Sequence, residues 1–198
     1  TYEDWAPATI MFKKAILDKI PGYNLFWDRV TSYDRYFILD IMDKFGAYYL
    51  DEYLYHVKAR HDSDHRSIDL DDENALRKLI SYDIYLFLKK QRKKTGTDHL
   101  NDNNIKELKK YEQKLMNNRR YIADKMRVFA CIQIDHGNLK EGRKLLMNAI
   151  GIAPFYIKNY QSLFYMFKSK IRIGFASGSI MISDAFAEVE CLINFDAI

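Results

Sequence analysis

From residue 68 onward the apolar side chains return every three or four positions, and that spacing commits most of the chain to helices. Leu76, Leu79, Ile80, Ile84, Phe87 and Leu88 mark one helix that reaches Lys94, where Thr95-Gly96-Thr97 breaks it. Asp69, Asp71 and Asp72 stand before it as candidate caps with charge suited to a helix N-terminus. After a polar loop over 99–104 the pattern resumes at Ile105, through Leu108, Tyr111 and Leu115, and runs on through Ile122, Met126, Phe129, Ala130 and Ile132. Asp135-His136-Gly137-Asn138 is a predicted turn, 139–152 a helix ended by Pro154, and 156–170 a further helix. Beyond Ile173, the residues Gly174, Ser177, Gly178 and Ser179 suggest a loop, with Phe186, Val189, Leu192 and Ile193 lining a last helix.

The first 67 residues are mixed. An apolar piece over 8–17 (ATIMFKKAIL) leads to a turn at Pro21-Gly22. Residues 33–44 (YDRYFILDIMDK) have helical spacing, and Gly46 is a natural stop. Residues 48–57 (YYLDEYLYHV) are aromatic and branched, which predicts one strand or two short ones.

Composition narrows the function classes. At 48% hydrophobic residues, with 15 Tyr and 12 Phe, the chain has material for a packed core and little kinship with a solvated coil. A net charge of +4 without a clustered basic face argues against nucleic acid as a partner, while a nucleotide diphosphate or an anionic membrane surface is compatible. The two cysteines, Cys131 and Cys191, show neither metal-ligand spacing nor a disulfide framework; reduced core thiols of a cytoplasmic chain are expected. No run reaches the roughly 18–20 apolar residues of a membrane span, and the first residues do not resemble a secretory signal. The chain starts at Thr1, so a piece of a longer protein is expected. It carries no Gly-rich phosphate loop, Walker pattern or dinucleotide fingerprint.

Taken in order, five pieces form a pattern: IMFKKAIL, the Pro-Gly turn, Tyr33-Asp34 opening a helix, Gly46 closing it, and Leu54-Tyr55 leading to Arg60-His61-Asp62-Ser63. This order resembles the C-terminal half of the GT-A catalytic domain of family-2 glycosyltransferases, over roughly residues 5–67. That family has an apolar "mfrr" segment, a short acidic motif heading a helix, a Gly, and a segment like "LYxYRxHxxS". The resemblance implies inverting sugar transfer from a nucleotide-diphospho-sugar to an acceptor hydroxyl. Asp34 matches the family's general base, which must lie within hydrogen-bond reach of that hydroxyl. Tyr33 stands where the family more often has Glu. The alternative role for Asp34 is a plain helix cap after Thr31 and Ser32. Glu3-Asp4-Trp5 also looks like the acidic motif, but Pro7 follows and no Gly-terminated helix comes in register.

His61 matches a histidine that in many such enzymes helps bind the metal or the diphosphate, although its spacing from Leu54-Tyr55 is one residue longer. Lys58 or Arg60 stands for the family's Arg and would contact diphosphate oxygens. The alternative for His61 is a surface residue in a polar loop. A divalent metal, Mg or Mn, is expected with the donor in the full enzyme. The family's metal-binding Asp-x-Asp belongs upstream; Asp62-Ser63-Asp64 and Asp69-Leu70-Asp71 fall on the other side of the acidic motif and are expected to be loop acids and caps. The nucleotide-binding half is therefore expected outside this chain, which alone should not transfer sugar.

Residues 123–154 resemble one tetratricopeptide-like hairpin, with Ala130, Gly142, Leu146, Ala149 and Pro154 at its small, large and Pro positions, and Gln133 departing from the usual aromatic. The stretch 139–170 also resembles the helix, Pro and aromatic helix that close many family-2 glycosyltransferases, with Gly142 in place of Ala. The expected fold is thus mainly α: a GT-A remnant with one or two short strands over 1–67, then an all-helical, tetratricopeptide-like domain over 68–198. The tail is expected to serve acceptor placement, self-association or contact with a membrane surface. Phe155, Tyr156, Tyr160, Phe164, Tyr165 and Phe167, with Lys158, Lys168, Lys170 and Arg172, would form its basic aromatic face, unless those rings are core. The run Gln91 to Lys94 has the look of a solvated helix end. The expected partners are a nucleotide-sugar and a glycan or lipid-linked acceptor, as in cell-surface polysaccharide biosynthesis, at the cytoplasmic face of a membrane. The alternative is a non-catalytic helical module that docks a protein or peptide.

Overall fold

Among the described residues, helices account for all the regular secondary structure apart from short 3-10 turns. The computed structural model describes residues 9–48, 50–52, 54, 56, 68 and 70–177, with side chains described as far as residue 169. Its α-helices are α1 (Tyr33–Phe45), α2 (Ala75–Thr95), α3 (Ile105–Met116), α4 (Arg119–Asp135), α5 (Leu139–Ile152) and α6 (Ile157–Ser177). Two stop signals act as expected. Gly46 (φ 67°) and Gly96 (φ 80°) take the positive φ that a Cβ disfavours, and their N–H groups close α1 onto Met42 O and α2 onto Arg92 O.

The chain divides into two compact units, Thr1–Asn117 and Asn118–Ile198. The first holds two 3-10 turns, Lys14–Ile16 and Leu25–Trp27, with α1, α2 and α3. Trp27, Tyr36, Leu39, Ile80, Ile84, Leu88 and Leu108 are buried in it. Each such side chain contributes on the order of 1.5–3 kcal/mol. Arg77 ties three of its pieces together: Nε donates to Glu112 Oε1 on α3 at 2.6 Å, and Nη2 donates to Phe26 O at 2.9 Å.

In the second unit α4 and α5 form an antiparallel hairpin around the turn His136-Gly137-Asn138, where Gly137 has φ 83°. Ala130, Gly142, Leu146 and Ala149 are buried. At Gly142 a Cβ would lie 2.6 Å from Ile134 Cγ1 and 3.1 Å from Ala130 O, so the seam is closed because position 142 has no side chain. Gln133 is buried too, and its Oε1 accepts from Asn138 Nδ2 at 2.9 Å, which replaces ring packing by a polar stitch across the turn. α6 packs on both helices. Its Asn159 is fully buried and donates to Ala149 O (3.0 Å) and Ala153 O (3.1 Å), so it adds a second bond to carbonyls that already accept from Ala153 N and Tyr156 N where α5 ends.

Several expectations need correction. Among the described residues of 48–57 there is no strand. The N-cap of α2 is Asn74, and Asp72 accepts from Asn74 N and pairs with Lys78 Nζ at 2.5 Å; Asp69 lies outside the described residues. The long periodic stretch after Ile105 is two helices, because Asn118 turns the chain and its Oδ1 accepts from Tyr121 N at 3.0 Å. Helix α6 runs through Gly174 to Ser177, where a loop was expected; the proposed last helix near Phe186 lies outside the described residues. α1 and α2 pack together within the first compact unit.

Candidate functional site at the head of helix α1

Asp34 is the second residue of α1. The cap position belongs to Ser32, which sits at φ 72° and makes no side-chain cap bond; its carbonyl accepts from Tyr36 N at 3.1 Å. Positive φ at a serine is a strained, sparsely populated state. Asp34 therefore stands inside the first turn rather than at the cap position. Its carboxylate is half-buried, and Oδ1 accepts from the Arg35 N–H at 2.7 Å. An acid in the first turn also suits the helix dipole. Aromatic rings gather beside it: Tyr33 meets Tyr23 edge-on at 5.2 Å, Phe37 lies 4.9 Å from Tyr23 and 6.1 Å from Phe12. Phe12, Tyr23 and Tyr33 all remain substantially exposed.

Two residues further on, α1 is bolted to α2. Arg92 is buried, and its guanidinium meets Asp98 through Nε, Asp43 through Nη1 at 2.9 Å, and Asp40 Oδ1 through Nη2 at 2.7 Å. The last of these is a close charge contact out of line for a hydrogen bond. The guanidinium carbon stacks 4.6 Å over the Tyr36 ring. Asp98 is fully buried and also accepts from Leu100 N (2.8 Å) and Asn101 N (3.0 Å). Burial acts to lower the Arg92 pKa, but its hydrogen bonds to Asp98 and Asp43 outweigh that and raise it, so the cation persists. Burial pushes the Asp40 carboxyl up against the pull of Arg92, and pushes the Tyr36 phenol well up.

Within residues 91–94, Lys93 and Lys94 are exposed as expected of a solvated end, but Arg92 is inside, because the turn at Gly96 folds Asp98 back onto α2. The sequence signal was the i, i+4, i+7 row of Tyr36, Asp40 and Asp43, a polar row through the apolar middle of α1.

Lys58, Arg60 and His61 lie outside the described residues, as does Cys191. Cys131 is a free, half-buried thiol in α4. Among the described residues no group of three His, Cys, Asp or Glu is placed to hold a metal ion; where three carboxylates do converge, Arg92 supplies the cation. Among those residues, too, no helix is long and apolar enough to cross a membrane. On the second unit Phe155, Tyr160, Phe164 and Tyr165 face outward, so those rings are not core. Compared with protein families, with curated proteins and with solved structures, the chain shows no match.

Proposed function

We propose that this chain is the C-terminal portion of an inverting glycosyltransferase of the family-2 type, with Asp34 as the general base. The observation that carries the reading is the state of Asp34: a half-exposed carboxylate in the first turn of a helix that a buried ion cluster holds in place, while Ser32 occupies the cap. The Asp34 carboxylate takes the proton of the acceptor hydroxyl as that oxygen attacks the anomeric carbon. The bond from that carbon to the donor's diphosphate breaks on the opposite face, and the nucleoside diphosphate leaves with the electron pair. Lys58 and Arg60 are assigned to the diphosphate oxygens. His61 is assigned to the divalent metal, Mg or Mn, which neutralises the departing diphosphate when bound. These three assignments follow from the resemblance alone. Screening the full-length protein for turnover of common nucleotide sugars, with and without Mg or Mn, tests the reading. Release of nucleoside diphosphate that depends on an added acceptor supports it; the absence of turnover with every donor opposes it.

A non-catalytic docking module is the second reading, and the outward rings of α6 favour it.

A further inference from the structure

Helix α6 buries Met166 together with two polar side chains and leaves large apolar ones outside. Asn159 and Ser162 are buried, while Ile157 is 69% and Phe164 73% exposed, with Tyr160 and Tyr165 beside them. Positions 157, 160, 164 and 168 share one side of the helix by their spacing, so Lys168 stands in line with the apolar stripe. Phe155, just ahead of the helix, is fully exposed. Water is a poor cover for such a stripe. At its head lies a cleft of about 520 Å³ walled by Pro154, Phe155 and Ile157 and bordered by Arg119 and Arg120. Charge is one-sided: α6 contains Lys158, Lys168, Lys170 and Arg172 and no Asp or Glu.

We infer that the outer face of α6, with Phe155 and the Arg119–Arg120 cleft at its head, docks onto an anionic lipid bilayer. The apolar side chains enter the boundary between headgroups and acyl chains, as in helices that lie in the membrane plane. Tyr160 belongs to the stripe, and a ring with a polar tip suits headgroup depth, whereas Tyr165 turns its hydroxyl to Asp135 on α4 and offers only its ring. Lys168 lays its stem along apolar surface and keeps its ammonium at the phosphates. The two guanidiniums at the cleft supply charge-assisted donors to a lipid phosphate. An acidic protein partner would meet the same charge but would leave Phe155 and Phe164, at opposite ends of the stripe, needing two apolar pockets at once. The inference deepens the membrane contact expected of the tail and stands apart from the role of Asp34.

Sedimentation of the full chain with vesicles tests it. Binding to mixed phosphatidylglycerol and phosphatidylcholine vesicles should exceed binding to phosphatidylcholine alone by at least about tenfold, at roughly fivefold per engaged cation, and should fall with added salt. The double variant F155S/F164S should lose about tenfold or more, since both side chains are exposed and neither holds the fold. Asp34→Asn should bind as the unmodified chain does, which separates this result from any failure of the transferase reading. No binding to either vesicle, or equal binding by the double variant, overturns the inference. So does a concentration-dependent dimer, or retention of RNA, that the double variant abolishes while vesicles are ignored. Phe164→Trp emission that is already blue-shifted without vesicles also overturns it, because the chain itself would then cover the face.

Discussion

The Tyr36 hydroxyl shares its proton between both carboxylate oxygens of Asp98, at 3.1 Å each, across 62 positions of sequence. Asp98 is fully buried, and Arg92 is its counter-charge. One contact thus joins the middle of α1 to the loop that follows α2, and it lies within a turn of the candidate base. The geometry at the head of α1 depends on it.

Removing Arg92 should therefore be among the most damaging single changes in the first unit. Arg92→Leu leaves Asp98 buried without a cation and should cost about 3–5 kcal/mol. Tyr36→Phe removes one hydrogen bond to a charged acceptor and should cost about 1.5–3 kcal/mol. Urea unfolding followed by circular dichroism gives both values, and equal losses would contradict this ranking.

Acid should weaken the second unit through Asp124. Burial pushes that carboxyl up, but the Tyr156 hydroxyl (2.7 Å) and Arg127 (2.9 Å) outweigh it and hold it below its ordinary 3.8. Its contribution is present above that value and is lost as pH falls through the lowered one. Asp40 has the opposite sign: its raised pKa favours the folded state below 3.8, and that gain disappears as pH rises through the folded value. In unfolding midpoints measured from neutral pH downward, Asp124→Asn should flatten the acid-side decline and Asp40→Asn should steepen it.

Gly142→Ala should destabilise the hairpin even though alanine favours helix. The helical gain is about 1 kcal/mol, whereas overpacking costs about 1–3 kcal/mol, and one of the crowding atoms, Ala130 O, is backbone. Ile134→Ala removes the nearest obstacle, Cγ1 at 2.6 Å, so Gly142→Ala should cost less in that background. A double-mutant cycle on melting temperature reads the coupling, and strict additivity would contradict the close approach.

The helices were legible because their signals are local. Gly46 and Gly96 sit at positions that need positive φ, and Gly142, Leu146 and Ala149 repeat at the spacing of one helix face. The break at Asn117-Asn118 was hidden because apolar spacing continues across it and only a side-chain cap marks the turn. The run through Gly174 was missed because a glycine within a packed helix costs only about 1 kcal/mol and does not force a stop. At the candidate site, Asp34 was readable as a helix-head acid, but its place inside the first turn depends on the strained φ of Ser32. Of the Arg92 cluster only the Tyr36, Asp40 and Asp43 row was visible, because charge in a basic run says nothing about a partner six positions later until the Gly96 turn brings Asp98 back.

The central claim is that the Asp34 carboxylate removes a proton from an acceptor alcohol. The direct measurement is sugar transfer by the full-length protein and its Asp34→Asn variant, with unfolding midpoints compared alongside. The account predicts a loss of at least about a hundredfold in turnover at an unchanged midpoint, the lower end of what a positioned base contributes. Turnover retained by the variant would contradict it.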